Sequence, residues 1–208
     1  MWLMDMFRVF LESAPAPGLS TPGLAASPGL VETPSPGEED TRHLVHAVCE
    51  QVFDGRLSDA EGFARAKALI GAGADLSHRD QSTLDSLVTT AIRLAAPSLA
   101  HALLDAGAPH DAPGRSGARP LHWAAIMGMP DLLERLLPGA DLTERERDFG
   151  STPLGWALEG WASPPRGSRG GHVVCAAALV EAGAVVEPPW RDSARVRQDS
   201  ALRAALRI

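Results

Sequence analysis

Between residues 40 and 190 the apolar positions fall in short runs with helical spacing, and the runs end alike. A doubled aliphatic is followed, after a short gap, by a Gly-Ala pair: Leu69-Ile70 then Gly73-Ala74, Leu103-Leu104 then Gly107-Ala108, Leu136-Leu137 then Gly139-Ala140, Leu179-Val180 then Gly183-Ala184. The glycines stand 34, 32 and 44 residues apart. A glycine so placed predicts a helix end in the left-handed conformation, which costs a residue with a Cβ roughly 1–2 kcal/mol. The aliphatics just upstream then form the buried side of that helix. Helix starts match these ends. Ser58 with Glu61 reads as a capping box, and Pro97-Ser98 and Pro130-Asp131 place a cap residue beside a proline, with Glu134 completing a second box. A shorter helix precedes each longer one, beginning near Ser82-Thr83-Leu84, Arg119-Pro120-Leu121-His122 and Thr152-Pro153-Leu154-Gly155. The unit is turn, short helix, turn, longer helix, Gly-Ala turn.

Outside the repeats the pattern changes. Leu3, Met6, Phe7, Phe10 and Leu11 lie on one helical stripe, with Asp5, Arg8 and Glu12 off it. Eleven residues make a marginal helix alone. Residues 13–39 alternate Pro, Gly, Ser, Ala and Thr before an acidic cluster, and cannot bury enough apolar area to offset their ordering entropy. A disordered linker is expected there. At the other end, Pro188-Pro189-Trp190 stops the array, and Leu202, Ala205 and Leu206 predict a closing helix within 191–208.

A unit of this make-up at a period near 33 residues resembles the ankyrin repeat. The third unit carries the likeness best: Arg119-Pro120-Leu121-His122-Trp123-Ala124-Ala125, then Gly128, Asp131-Leu132-Leu133 and Leu136-Leu137-Pro138-Gly139-Ala140-Asp141. It is similar to the family's T-P-L-H-x-A-A pattern, with arginine in place of the threonine. The fourth unit keeps Thr152, Pro153, Leu154 and Ala157 but has Gly155 at the histidine position, and its helices are separated by a loop about ten residues longer than usual. The second unit, read from Ser82-Thr83-Leu84-Asp85, is degenerate, and the first keeps only its second helix and the Gly73-Ala74-Asp75 turn. The resemblance implies an all-α solenoid of four repeats, near 40–76, 77–110, 111–143 and 144–187, with a disordered N-terminal tail and a C-terminal cap.

Charge and cysteine usage narrow the possible functions. Net charge is −7, with six acids against one arginine in residues 1–41 and five arginines against two acids in 191–208. No long basic stripe crosses the repeats, so nucleic acid is not an expected partner. Cys49 and Cys175 are too far apart in kind and in sequence for a disulfide framework, which suits a reducing cytoplasm. No apolar run reaches the roughly 18 residues a membrane span needs. Membrane contact is conceivable only through residues 1–12. Lys67 is the sole lysine and tyrosine is absent, a usage that points to a GC-rich bacterial genome.

Catalysis has little to stand on. His122 occupies the motif histidine, which the resemblance implies is structural. His43, His46 and Cys49 recur every three residues on the predicted first helix, but that spacing drifts around the helix and no fourth ligand accompanies it. An enzyme using His122, or a metal protein using the other three, is the alternative class, and a subunit that masks a neighbouring enzyme or toxin is a third. No cofactor or metal is expected. The favoured expectation is a monomeric, non-catalytic module for a protein partner. The resemblance implies a concave face of first helices and projecting turns, or fingers. On that face stand Trp123 and Trp156, with Met127, Glu159 and Trp161 beyond them. Arg79, Arg145 and Arg147 mark the fingers, and the long loop carries Arg166 and Arg169. Tryptophan and arginine are the side chains most enriched at interface hot spots.

Overall fold

The structure, a computed structural model, describes residues 41–80 and 83–208, and the side chains from residue 44 onward. The N-terminal stripe, the linker and the side chain of His43 lie outside the described residues. Helices α1 (Thr41–Phe53) and α2 (Asp59–Gly71) form a first pair, α3 (Leu87–Arg93) and α4 (Pro97–Asp105) a second. Helices α5 (Pro120–Ile126) and α6 (Pro130–Leu136) form the third, α7 (Pro153–Ala162) and α8 (His172–Glu181) the fourth. Three short helices follow, α9 (Pro188–Arg191), α10 (Ala194–Gln198) and α11 (Ser200–Leu206). Among the described residues there is no strand, only an isolated antiparallel bridge between Arg79 and Ser86.

The pairs stack in two layers. First helices pack in series, α1 on α3, α3 on α5 and α5 on α7, and second helices do the same, α2 on α4, α4 on α6 and α6 on α8. α11 closes the second layer by packing on α8. The seam between layers is buried and rich in small residues: Ala91, Ala100, Ala124, Ala125, Ala157 and Ala176 allow close approach, while Leu99, Leu103, Leu132, Leu133, Leu158 and Leu179 fill the spaces. The described chain is therefore an all-α helical solenoid.

The Gly-Ala turns follow from their sequence. Gly73, Gly107, Gly139 and Gly183 all take positive φ, between 78° and 104°. In three of them the alanine N–H returns to the carbonyl five residues back, Ala74 to Leu69, Ala108 to Leu103 and Ala184 to Leu179. These bonds satisfy helix-end carbonyls as a Schellman turn does. The third unit is one residue shorter and makes the tighter Ala140 to Leu137 bond instead. Of each doubled aliphatic in units two to four, the first member is buried and the second half-exposed.

Ser58 and Glu61 make the expected capping box, with Ser58 N–H donating to the Glu61 carboxylate at 2.8 Å and Glu61 N–H to Ser58 Oγ at 3.2 Å. Two other starts differ from expectation. α4 and α6 begin at Pro97 and Pro130 with Ala96 and Met129 as N-caps, so Ser98 and Asp131 lie inside the first turn and cap nothing. Ser98 Oγ instead donates to Asp59 on α2 at 2.6 Å. The second unit is also displaced. Its first helix is capped by Ser86, whose Oγ accepts from Thr89 N–H at 3.2 Å, and Thr83-Leu84-Asp85 belongs to the preceding turn, with Leu84 at φ 57°. The expected closing helix is α11, which buries Leu202 and Leu206, and the two short helices α9 and α10 precede it.

Candidate partner-binding surface

The turns between pairs form three fingers, near residues 75–80 with 83–86, 108–119 and 140–152. Each closes on its own backbone, Asp80 N–H to Asp85 O at 2.9 Å, Gly114 to Ala118 at 2.9 Å and Glu146 to Ser151 at 3.3 Å. Neighbouring fingers are joined by backbone bonds as well. Arg115 N–H donates to Thr83 O at 2.6 Å, and Arg147 N–H to Ser116 O at 2.7 Å. The finger edge is thus a continuous hydrogen-bonded strip rather than a row of independent loops.

Side chains lock this strip. Asp75 Oδ1 accepts from Ser77 N–H at 2.9 Å, and Asp141 Oδ1 from Thr143 N–H at 2.8 Å, the same turn in units one and three. The bonds from Thr143 hold the Asp141 carboxyl below the usual carboxylate range. Arg79 and Arg145 occupy equivalent places. Arg79 donates to Leu84 O at 2.8 Å and reaches across to Pro113 O. Arg145 donates to Gly150 O at 2.6 Å and reaches Glu187. Arg119 is the N-cap residue of α5, but its side chain lies between Asp111 and Glu144, and its hydrogen bonds to Glu144 do most to raise its already high pKa.

Glu146 is the least expected member. An acid among arginines reads as solvated charge, yet its residue is only 1% exposed. Its carboxylate accepts from Asp148 N–H at 2.7 Å, Phe149 N–H at 3.0 Å and Ser151 N–H at 3.1 Å. Burying a carboxylate is tolerable when backbone donors replace its water. Glu146→Ala leaves those donors unmatched and is expected to cost about 3 kcal/mol in a urea melt; a loss under about 0.5 kcal/mol would show the carboxylate to be dispensable.

The aromatic residues correct the sequence expectation. Trp123 and Trp156 are each 2% exposed and pack edge to face, their ring centroids 5.1 Å apart. Trp156 also meets His122 at 5.5 Å and Phe149 at 6.5 Å. Because they occupy equivalent positions one repeat apart, the indoles interdigitate across the seam between α5 and α7 instead of facing a partner. Met127 is fully buried and equally unavailable. Trp161 is half-buried against the cap, donating from Nε1 to Asp199 at 3.2 Å beneath the Arg195 guanidinium, 4.7 Å from the ring centroid. Glu159 is half-buried, which pushes its carboxyl pKa up. Among the eight residues expected to contact a partner, Arg147 differs from the braced arginines. It is exposed, and among the described residues its guanidinium makes no hydrogen bond or ion pair. Arg115, which the sequence did not single out, is exposed at the adjacent finger tip.

His122, Cys49 and Cys175 are buried within the helix stack. His122 is buried, its Nδ1 accepts the Arg119 N–H at 3.3 Å, and burial pushes its pKa down to about 4. The Glu144 backbone and carboxylate oppose that shift, and the Arg119 charge adds to it. A cleft of about 160 Å³ opens beside His122 and Arg119, but the histidine is neutral and the arginine is already held by two carboxylates. Cys49 and Cys175 are buried, and burial pushes each thiol up to about 12, far from a reactive thiolate. His46 lies 3.6 Å from Asp80, and among the described residues no three His, Cys, Asp or Glu side chains gather as a metal site.

Stacked helix pairs with a braced finger edge define a helical-repeat protein of the kind that presents an extended recognition surface. Residues 116–147, from the tip of the second finger through α5 and α6 to the third finger, match the family model of the ankyrin repeat. That stretch is similar to an ankyrin repeat, a unit generally found in protein interaction modules. No curated protein matches the chain.

Proposed function

We propose that this chain is a non-catalytic module that holds a protein partner along its finger edge, with Arg147 and Arg115 as principal contacts. The observation that carries this reading is the contrast among the finger arginines. Arg79, Arg119 and Arg145 are spent on bracing the strip, whereas Arg147 is exposed and, among the described residues, its guanidinium is unengaged. A cation on a rigid backbone loses little conformational entropy on binding, because its support is ordered beforehand. Reading the partner face from the fingers replaces the concave indole surface, whose rings support the core. The chain acts as a monomer in a reducing cytoplasm, where buried Cys49 and Cys175 stay as thiols. Among the described residues no helix is long and apolar enough to cross a membrane.

The test is an affinity comparison on a partner captured from cells that express the chain. Arg147→Glu should melt within about 0.5 kcal/mol of the parent and bind the partner more than about fivefold more weakly. Equal affinity for both proteins would remove the finger edge from the interface.

A further inference from the structure

The long loop between α7 and α8 does not project into solvent. It runs back over the helix-to-helix turns of the earlier pairs. Arg169 N–H donates to Met127 O at 2.8 Å and Gly171 N–H to Gly128 O at 3.0 Å, both at the α5–α6 turn. His172, buried at the start of α8, is 2.9 Å through Nε2 from Ile126 O, with Ser168 Oγ 3.2 Å away. One unit further back, the Arg169 guanidinium donates to Ala95 O at 2.9 Å, in the α3–α4 turn. At the far end, the Arg166 guanidinium lies 4.9 Å above the ring of Phe53, the last residue of α1.

The loop and the turns beneath it are shaped for each other. Gly128 has φ 62°, and a Cβ there would stand 2.9 Å from Gly171 N, so the loop backbone lies directly on the glycine. At the equivalent turn one unit back, Ala95 takes φ 58° in spite of its methyl. The loop presents Gly167 at that point, φ +79°, where a Cβ would be 2.7 Å from the Ala95 methyl. Alanine below is matched by glycine above, and glycine below by bare backbone above.

We infer that residues 163–171 are a clasp that couples the fourth helix pair directly to the first and second, so that the array opens as one unit. In a simple helical stack each repeat touches only its neighbours, and the ends open independently. Contacts from Arg166 and Arg169 to residues 113 and 74 positions earlier in sequence break that rule. Exposed cation–π and arginine–carbonyl contacts are individually modest, but their effect on the order of opening is larger than on total stability. Opening α1–α4 then requires release of a loop held from the opposite end. This inference is independent of the partner-binding reading.

Native-state hydrogen exchange on the full chain tests it. In the parent, α1–α4 and α5–α8 amides should share one limiting protection. In Arg166→Gln/Arg169→Gln, which alters two exposed side chains, α1–α4 should exchange at least tenfold faster than α5–α8. Gly167→Val, which drives a branched side chain against Ala95 at a positive φ, should do the same. A uniform loss across all helices, no change in either variant, or protection already graded along the parent would each overturn the clasp.

Discussion

Trp156→Ala is expected to remove about 3–5 kcal/mol of stability, enough to unfold a large part of a marginally stable array. The indole is 2% exposed and meets three rings, those of Trp123, His122 and Phe149. Truncation leaves a cavity the size of an indole between α5 and α7, bounded by helices whose backbones are held in register on both sides, so the site cannot collapse to fill it. Edge-to-face ring pairs add about 0.5–1.5 kcal/mol each beyond the area they bury. Trp156→Phe should recover part of the loss. A Trp123→Ala, Trp156→Ala cycle should show coupling of about 1 kcal/mol or more, as contacting residues do. A denaturant midpoint unchanged by Trp156→Ala would place the ring outside the core and restore the indole face as a contact surface.

Acid should weaken the fold through His122. Its folded pKa is about 4 against an ordinary value of 6.5, so the folded state holds the ring neutral where the unfolded chain takes up a proton. With Nδ1 accepting the Arg119 N–H, a proton there would break the bond that starts α5. The stability is fully present above pH 6.5 and is lost as pH falls toward 4, reaching roughly 3 kcal/mol for this group alone. His172, whose pKa burial also lowers, adds a loss of the same sign. Asp85 and Glu159 oppose it, since burial raises their carboxyl pKa values and proton uptake there favours the folded state. The comparison therefore belongs between pH 7.5 and 5, above most of the carboxylate range. His122→Asn should be less stable than the parent at pH 7.5, and the gap should hold to about pH 6.5 and narrow from there toward pH 5. A gap of constant size would mean that the histidine titrates alike in both states.

Particular residues show how far sequence reading reaches. Gly107 and its counterparts announced helix ends because a left-handed residue is penalised by its own Cβ, a matter of a few bonded atoms. Ser58 and Glu61 announced a helix start for a similarly local reason. The second unit shows where local signals compete. Thr83-Leu84-Asp85 imitates the motif start, but Ser86, three residues after Thr83, provides the hydroxyl cap for Thr89 N–H, and the finger needs the intervening residues to complete its turn. Two local solutions were possible, and packing between pairs selected one.

The site divides along the same line. The period placed Trp123 and Trp156 one repeat apart, so their proximity was legible, but their exposure was not. Whether an apolar ring faces a partner or a neighbouring helix depends on the offset between α5 and α7. Glu146 was hidden for a comparable reason, since its burial follows from three backbone N–H groups brought together by the finger's path. Arg79, Arg145 and Arg147 are alike in a sequence of charged turns. Only the placement of Leu84 O, Pro113 O, Gly150 O and Glu187 separates the two braces from the exposed cation.

The amino-acid order alone determined the helices, their glycine ends and their repetition, because each is set by interactions within a few residues of chain. Tertiary structure decided which faces are buried, which arginines are already engaged, and that the loop after α7 lies across the earlier turns. Those outcomes draw on groups far apart in sequence, such as Arg119 with Glu144, 25 residues away, and Arg166 with Phe53, 113 away. No local pattern encodes such a distance; it is fixed only when the helix pairs stack.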